Sequence, residues 1–166
     1  MQRLLIVIFS VIVLGNSSII FAQSPLGKQI GFGIIVGDPT GVTVKIWRSR
    51  ENAFVIDAGS SYFGSPRINV DYLWHFDAFH STIAKLYAGP GGVIGFGAGH
   101  GFWYVDGSGF YYRKTGIGLA ARGIFGVNFI PKNDPLEIFF ETGVLVGLAP
   151  DFGSAVDAAL GIRYYP

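Results

Sequence analysis

Along most of the chain, apolar and polar side chains alternate at every second residue, the period that sends successive side chains to opposite faces of a β-strand. Between Gln29 and Gly37, Ile30, Phe32, Ile34 and Val36 share one face, with Gly31, Gly33 and Ile35 on the other; from Gly41 to Arg48, Val42, Val44 and Ile46 oppose Thr43, Lys45 and Trp47. Asp38-Pro39-Thr40 between them predicts a tight turn, because Pro fixes φ and Asp can bond the backbone just ahead. The same alternation predicts strands near 53–62, 67–76, 84–97, 114–130, 135–148 and 155–165. It is clearest in the fourth, where Ile68, Val70, Tyr72, Trp74 and Phe76 stand against Asn69, Asp71, Leu73 and His75. Gly89-Pro90-Gly91-Gly92 predicts a bend or bulge within the fifth. The connections are short at 49–52, 63–66, 131–134 and 149–154, intermediate at 77–83, and long only at 99–113.

A face carrying five large apolar residues at alternate positions must meet lipid or a second sheet, since no single-layer soluble sheet leaves it in water. The charges decide between these. Lys45, Asp57, Asp71, His75, Arg122, Glu137, Glu141, Asp157 and Arg163 all fall opposite the large apolar residues. A soluble barrel of the lipocalin type has the reverse arrangement, so the predicted fold is all-β, an eight-stranded antiparallel up-and-down transmembrane β-barrel with a polar interior. So narrow a barrel holds little beyond its own side chains. Lys45, Arg122 and Arg163 are therefore expected to pair with carboxylates among Asp57, Asp71, Glu137, Glu141 and Asp157 in a network that plugs the lumen. An even strand number returns both ends to one side, the periplasm in such barrels, and puts loop 99–113 outside the cell. Trp47, Tyr62, Trp74, Phe79, Trp103, Tyr104, Tyr111, Tyr112, Tyr164 and Tyr165 lie near strand ends or in the long loop and are expected to form interfacial girdles.

Composition points the same way: 50% hydrophobic and 14% charged residues are too apolar for an ordinary soluble domain of 166 residues. The net charge of +1, with no basic run, gives nucleic acid nothing to hold. Arg3, the apolar run Leu4 to Leu14 broken only by Ser10, and Ala22 after Ile20-Phe21 form the pattern of a secretion signal, with residues 1–22 removed and 23–166 forming the barrel. A retained anchor needs about 20 continuous apolar residues, and Gly15-Asn16-Ser17-Ser18 interrupts the run too early. The chain has no cysteine, which removes disulfides, Cys-based metal sites and lipid attachment at an N-terminal Cys.

Four segments carry a resemblance: Gly37-Asp38-Pro39-Thr40-Gly41 leading to Val44-Lys45-Ile46-Trp47, then Asp71-Tyr72-Leu73-Trp74-His75-Phe76, Pro135-Leu136-Glu137-Ile138-Phe139-Phe140-Glu141, and Gly161-Ile162-Arg163-Tyr164-Tyr165. In their order and spacing they resemble a family of small, largely uncharacterised bacterial outer-membrane β-barrel proteins. The resemblance spans nearly the whole mature chain. It implies an eight-stranded transmembrane barrel, broadly like the membrane part of OmpA and OmpX, and brings no established activity or catalytic residues. The last strand also looks like the recognition signal of the outer-membrane assembly machinery, with Gly161 followed by the aromatic Tyr164, although Pro166 stands where that signal ends on an aromatic.

Little in the sequence suggests catalysis. It holds no GxSxG elbow, phosphate loop, HExxH or other zinc spacing, and His75, His80 and His100 are not spaced for a helix-borne site, so neither a cofactor nor a metal is expected. The glycines of 95–101 and 107–109 lack a surrounding βαβ unit and are assigned to loop and barrel. His100 and Ser108 are the one pair that suits a lipid-modifying hydrolase or acyltransferase. Against that, Phe102, Trp103, Tyr104, Phe110, Tyr111 and Tyr112 suit a loop that touches lipopolysaccharide, the membrane surface or a partner. The expected protein is a non-enzymatic integral outer-membrane barrel with an envelope or surface-interaction role. Its expected partners are outer-membrane lipid, lipopolysaccharide and, during insertion, the assembly machinery. The alternatives are a soluble periplasmic carrier of an apolar ligand and the loop-borne enzyme.

Overall fold

A computed structural model describes residues 25–103, 110–113, 116–150 and 152–166, with side chains throughout except at 100–103 and 110–113. The secretion-signal segment 1–22 lies outside these residues. After a short 3-10 turn, Pro25–Gly27, the strands are β1 (Ile30–Gly37), β2 (Thr40–Trp47), β3 (Asn52–Ser61), β4 (Gly64–Phe76), β5 (Ala84–Phe96), β6 (Gly99–Trp103), β7 (Phe110–Arg113), β8 (Ile117–Phe129), β9 (Leu136–Ala149) and β10 (Gly153–Tyr164). Eight of them, β1 to β5 and β8 to β10, follow one another around a sheet that closes where β1 pairs with β10, every pairing antiparallel. The eight-stranded antiparallel barrel that the alternation predicts is the observed fold.

The closing ladder is short. It runs from Phe32↔Tyr164 to Gly37↔Ala159, while β10 extends back to Gly153. Near that free stretch, Ser154 pairs with Trp103 of β6, and β6 and β7 pair with each other as a hairpin. Residues 99–113, expected as an irregular loop, therefore contain two strands. The runs Phe102-Trp103 and Phe110-Tyr111-Tyr112 have the aromatic composition that strands favour, and backbone pairing decides the outcome despite the surrounding glycines.

Two local expectations change. Facing β8, β5 is continuous from Ala84↔Phe129 to Phe96↔Ile117, without the expected bulge. Facing β4, its ladder lacks pairs at Gly89 and Pro90, because Pro has no N–H to give. In the β1–β2 turn it is Thr40, not Asp38, that closes the backbone: its Oγ1 accepts from the Gly37 N–H at 3.1 Å and donates to the Gly37 carbonyl at 2.8 Å. Gly37 has φ 125°, which a side chain would strain. The Asp38 carboxylate is released to reach across to β3 and β4.

The outer wall is apolar, with Ile34, Val70, Phe140 and Leu160 each about half exposed to the barrel's surroundings. Inside, apolar and polar layers alternate. Trp47, Ala53 and Tyr165 pack with Ile130 at the end that holds the termini. Val55, Leu73, Tyr87 and Ile124, with Ile35, Phe139 and Ala159, fill the next level, and Phe63, Val93, Ala120, Leu145 and Ala155 close the far end with Tyr62 against them. Trp47 and Tyr165, expected in a girdle, are thus inside. Trp47 holds inward parity on β2, Tyr165 continues that of β10 one residue past its end, and the hydrogen bond from Trp47 Nε1 to Tyr165 OH at 3.1 Å satisfies both polar tips within the barrel. Trp74, Phe79 and Tyr164 remain on the outer surface.

Candidate functional site

Between the apolar layers, strand parity brings the charged residues into two clusters. Lys45, Asp57, Asp71, His75, Arg122, Glu137, Glu141, Asp157 and Arg163 are all buried within the barrel.

In the terminal half, Glu137 is the hub. Lys45 Nζ donates to its Oε1 at 2.6 Å, Asn128 Nδ2 at 2.9 Å and Arg163 Nη1 at 3.4 Å, while the Tyr165 hydroxyl donates to Oε2. Arg163 also donates to Thr43 Oγ1 through Nε at 3.0 Å and Nη2 at 2.9 Å, and lies 3.7 Å from the Phe139 ring centroid. Lys45 Nζ is 3.0 Å from His75 Nε2, and His75 Nδ1 is 3.0 Å from the Glu51 carbonyl. An ammonium only donates, so Nε2 must accept and Nδ1 must carry the proton, which assigns a neutral imidazole.

The second cluster is built on two arginines. Arg122 Nη1 donates to Asp71 Oδ2 at 2.6 Å, and Nη2 reaches Glu141 Oε1 at 3.1 Å and Asp157 Oδ1 at 3.2 Å. Arg67 Nη2 donates to Asp157 Oδ2 at 2.6 Å, its Nε to Asn69 Oδ1 at 2.7 Å, and its Nη1 to Asp38 Oδ1 at 2.9 Å and Ser61 Oγ at 3.1 Å. Tyr87 OH donates to Glu141 Oε2 at 2.9 Å. Gly143 makes room for this arrangement: a Cβ there would press on Asp157 and stand 2.8 Å from Arg122 Nε. Asp38, in the turn, has its carboxyl pushed above the usual carboxylate range by burial, against the opposing pull of Ser61 and Arg67. Asp57 differs from the other acids, because neither of its carboxylate oxygens has a hydrogen-bond partner. At the terminal rim, Lys85 Nζ lies 3.1 Å from Asp77, whose carboxyl the hydrogen bond holds below its usual range.

Comparison with known proteins reaches the fold. No protein-family model matches the sequence, and neither does any curated protein. Among solved structures, the chain is similar to the N-terminal β-barrel domain of Pseudomonas aeruginosa OprF, with a TM-score of 0.58 and 11% identity, covering 82% of this chain and 96% of that one. The fold is similar to the OprF barrel. At such low identity the likeness concerns backbone architecture alone.

Within this OprF-like barrel, several site residues escape the sequence reading. Arg67 shares the parity of Asp71 at the first position of the predicted fourth strand, so its inward facing was available from the pattern. Asp38 carried no such signal, because a turn residue has no parity. Asn69, Asn128, Thr43, Tyr87 and Tyr165 stand on the inward face and supply hydrogen bonds to the charged groups. Among the described residues no three His, Asp or Glu side chains could hold a metal ion. Gly161 faces inward beneath Phe139, where a Cβ would collide with the ring, and Tyr164 faces outward. Phe102 and Trp103 fall on β6, and Tyr111 and Tyr112 on β7; their side chains, with Tyr104, Ser108 and the His100 ring, lie outside the described residues.

Proposed function

We propose that this chain is an integral outer-membrane protein, exported through its N-terminal signal, whose barrel serves the envelope or a surface interaction and carries out no catalysis. The observation that carries this reading is the inside-out distribution of the barrel: apolar side chains around the outside and ion pairs within. Water would leave the outer wall without a partner, whereas the hydrocarbon of a bilayer matches it. A lipocalin-like carrier would need an apolar chamber inside, where this barrel has Arg122, Glu141 and Asp157 in contact. Two charge clusters and three apolar layers leave the lumen plugged to solutes.

The β6–β7 hairpin, with Phe102, Trp103, Tyr104, Tyr111 and Tyr112, is the part of this reading that meets lipopolysaccharide or a surface partner. Gly161 and Tyr164 would serve the assembly machinery during insertion. Expression of the full chain in a Gram-negative host tests the reading. We expect recovery in outer membranes and a faster gel mobility before boiling than after it. Recovery in the soluble periplasm would overturn the membrane assignment.

A further inference from the structure

The buried charges do not balance. Among the described residues the buried acids Asp57, Asp71, Glu137, Glu141 and Asp157 face only the buried cations Lys45, Arg67, Arg122 and Arg163, and His75 is held neutral by its partners. The deficit centres on Asp57. Its side chain is fully buried and both oxygens lack a hydrogen bond, although it lies within electrostatic range of Arg122, Arg163, Asp71 and Glu141. The terminal nitrogens of Arg122 are committed to three other carboxylates, only its Nε–H being unpartnered, and Arg163 is committed to Thr43 and Glu137. Thr43 and Asn69 flank Asp57 in register on β2 and β4, and Asp71 follows two residues along β4 with its unpartnered Oδ1 turned over Gly91 of β5. A buried carboxylate left unpaired is among the costliest arrangements a folded chain can contain, so the site calls for a positive charge beyond those the described residues supply.

We propose that the lumen binds one monovalent alkali cation at Asp57. The two free oxygens of this carboxylate supply the charge, and retained hydration water completes the shell. A single charge matches the one surplus carboxylate, and no three acidic or histidine side chains converge among the described residues as they do around a divalent ion. The inference rests on the closed lumen proposed above. With Val55, Leu73, Tyr87 and Ile124 on one side and the Phe63 cluster on the other, the ion is enclosed, and it is captured as the barrel folds.

The experiment refolds the mature chain into detergent micelles at pH 8 in sodium, potassium or choline chloride of equal ionic strength. Gel filtration into choline buffer follows, and bound alkali metal is measured by elemental analysis. Asp57→Asn keeps the side-chain shape and breaks no hydrogen bond, so it is the matched variant. The expected result is one sodium or potassium per wild-type chain and none for Asp57→Asn, both proteins showing the mobility shift on boiling. The wild type should also lose its compact band at a higher temperature in sodium or potassium than in choline, a difference absent from Asp57→Asn. Wild-type protein that shows the mobility shift but retains no alkali metal, with a transition indifferent to the cation, would overturn the proposal and leave a proton or lumen water at Asp57. Absence of the mobility shift would overturn the closed barrel, and this inference with it.

Discussion

Glu137 accepts from Lys45, Asn128, Arg163 and Tyr165 at once, and among the described residues no other carboxylate accepts a hydrogen bond from Lys45 or Arg163. Glu137→Ala would leave Lys45 without its carboxylate hydrogen bond and Arg163 with Thr43 as its remaining hydrogen-bond partner. Breaking a buried pair from one side costs about 3 to 5 kcal/mol, which urea titration of the refolded barrel, followed by its compact gel band, would register. Gly143→Ala should destabilise by crowding instead, since the new methyl meets the Arg122–Asp157 pair; overpacking typically costs about 1 to 3 kcal/mol. At this scale the sequence discloses which way each strand residue faces, because a period of two has only two answers, and Lys45, Asp71 and Glu141 all follow it inward. Partners are a different matter. That Arg122 meets Asp71, Glu141 and Asp157 depends on the relative stagger of β4, β8, β9 and β10, which no single strand encodes.

At the level of strands, the hairpin is separable from the wall. β5 and β8 pair without interruption from Ala84↔Phe129 to Phe96↔Ile117, so they need no help from β6 and β7. Replacing residues 99–113 with a short Gly-Ser linker is expected to leave the boiling-dependent mobility shift intact; its loss would show that the hairpin is needed for closure. The strands of the wall were legible because each repeats one alternation over eight residues or more, whereas β6 and β7 are short and glycine-flanked, below the length at which a period can be recognised. Pro90 misleads for a related reason. A missing N–H removes pairing on one edge only, and the β8 edge keeps an unbroken ladder where composition suggests a bulge.

Over the whole molecule, the arrangement of charge and apolar surface sets the solvent in which the barrel is stable. Leu160 stands on the outer wall midway along β10, and Leu160→Arg should cost roughly 2 to 4 kcal/mol in bilayer vesicles. Vesicle refolding yields and urea midpoints would measure it; an unchanged midpoint would mean that this wall does not face hydrocarbon. The closing ladder has a consequence of its own. β1 and β10 lie at opposite ends of the described chain and share one of the shortest ladders in the wall. Their meeting must absorb the entropy of gathering all the intervening strands before any bond between them repays it. That clasp is accordingly expected to zip last and part first, starting from Gly37 and Ala159, where β1 stops and β10 runs on.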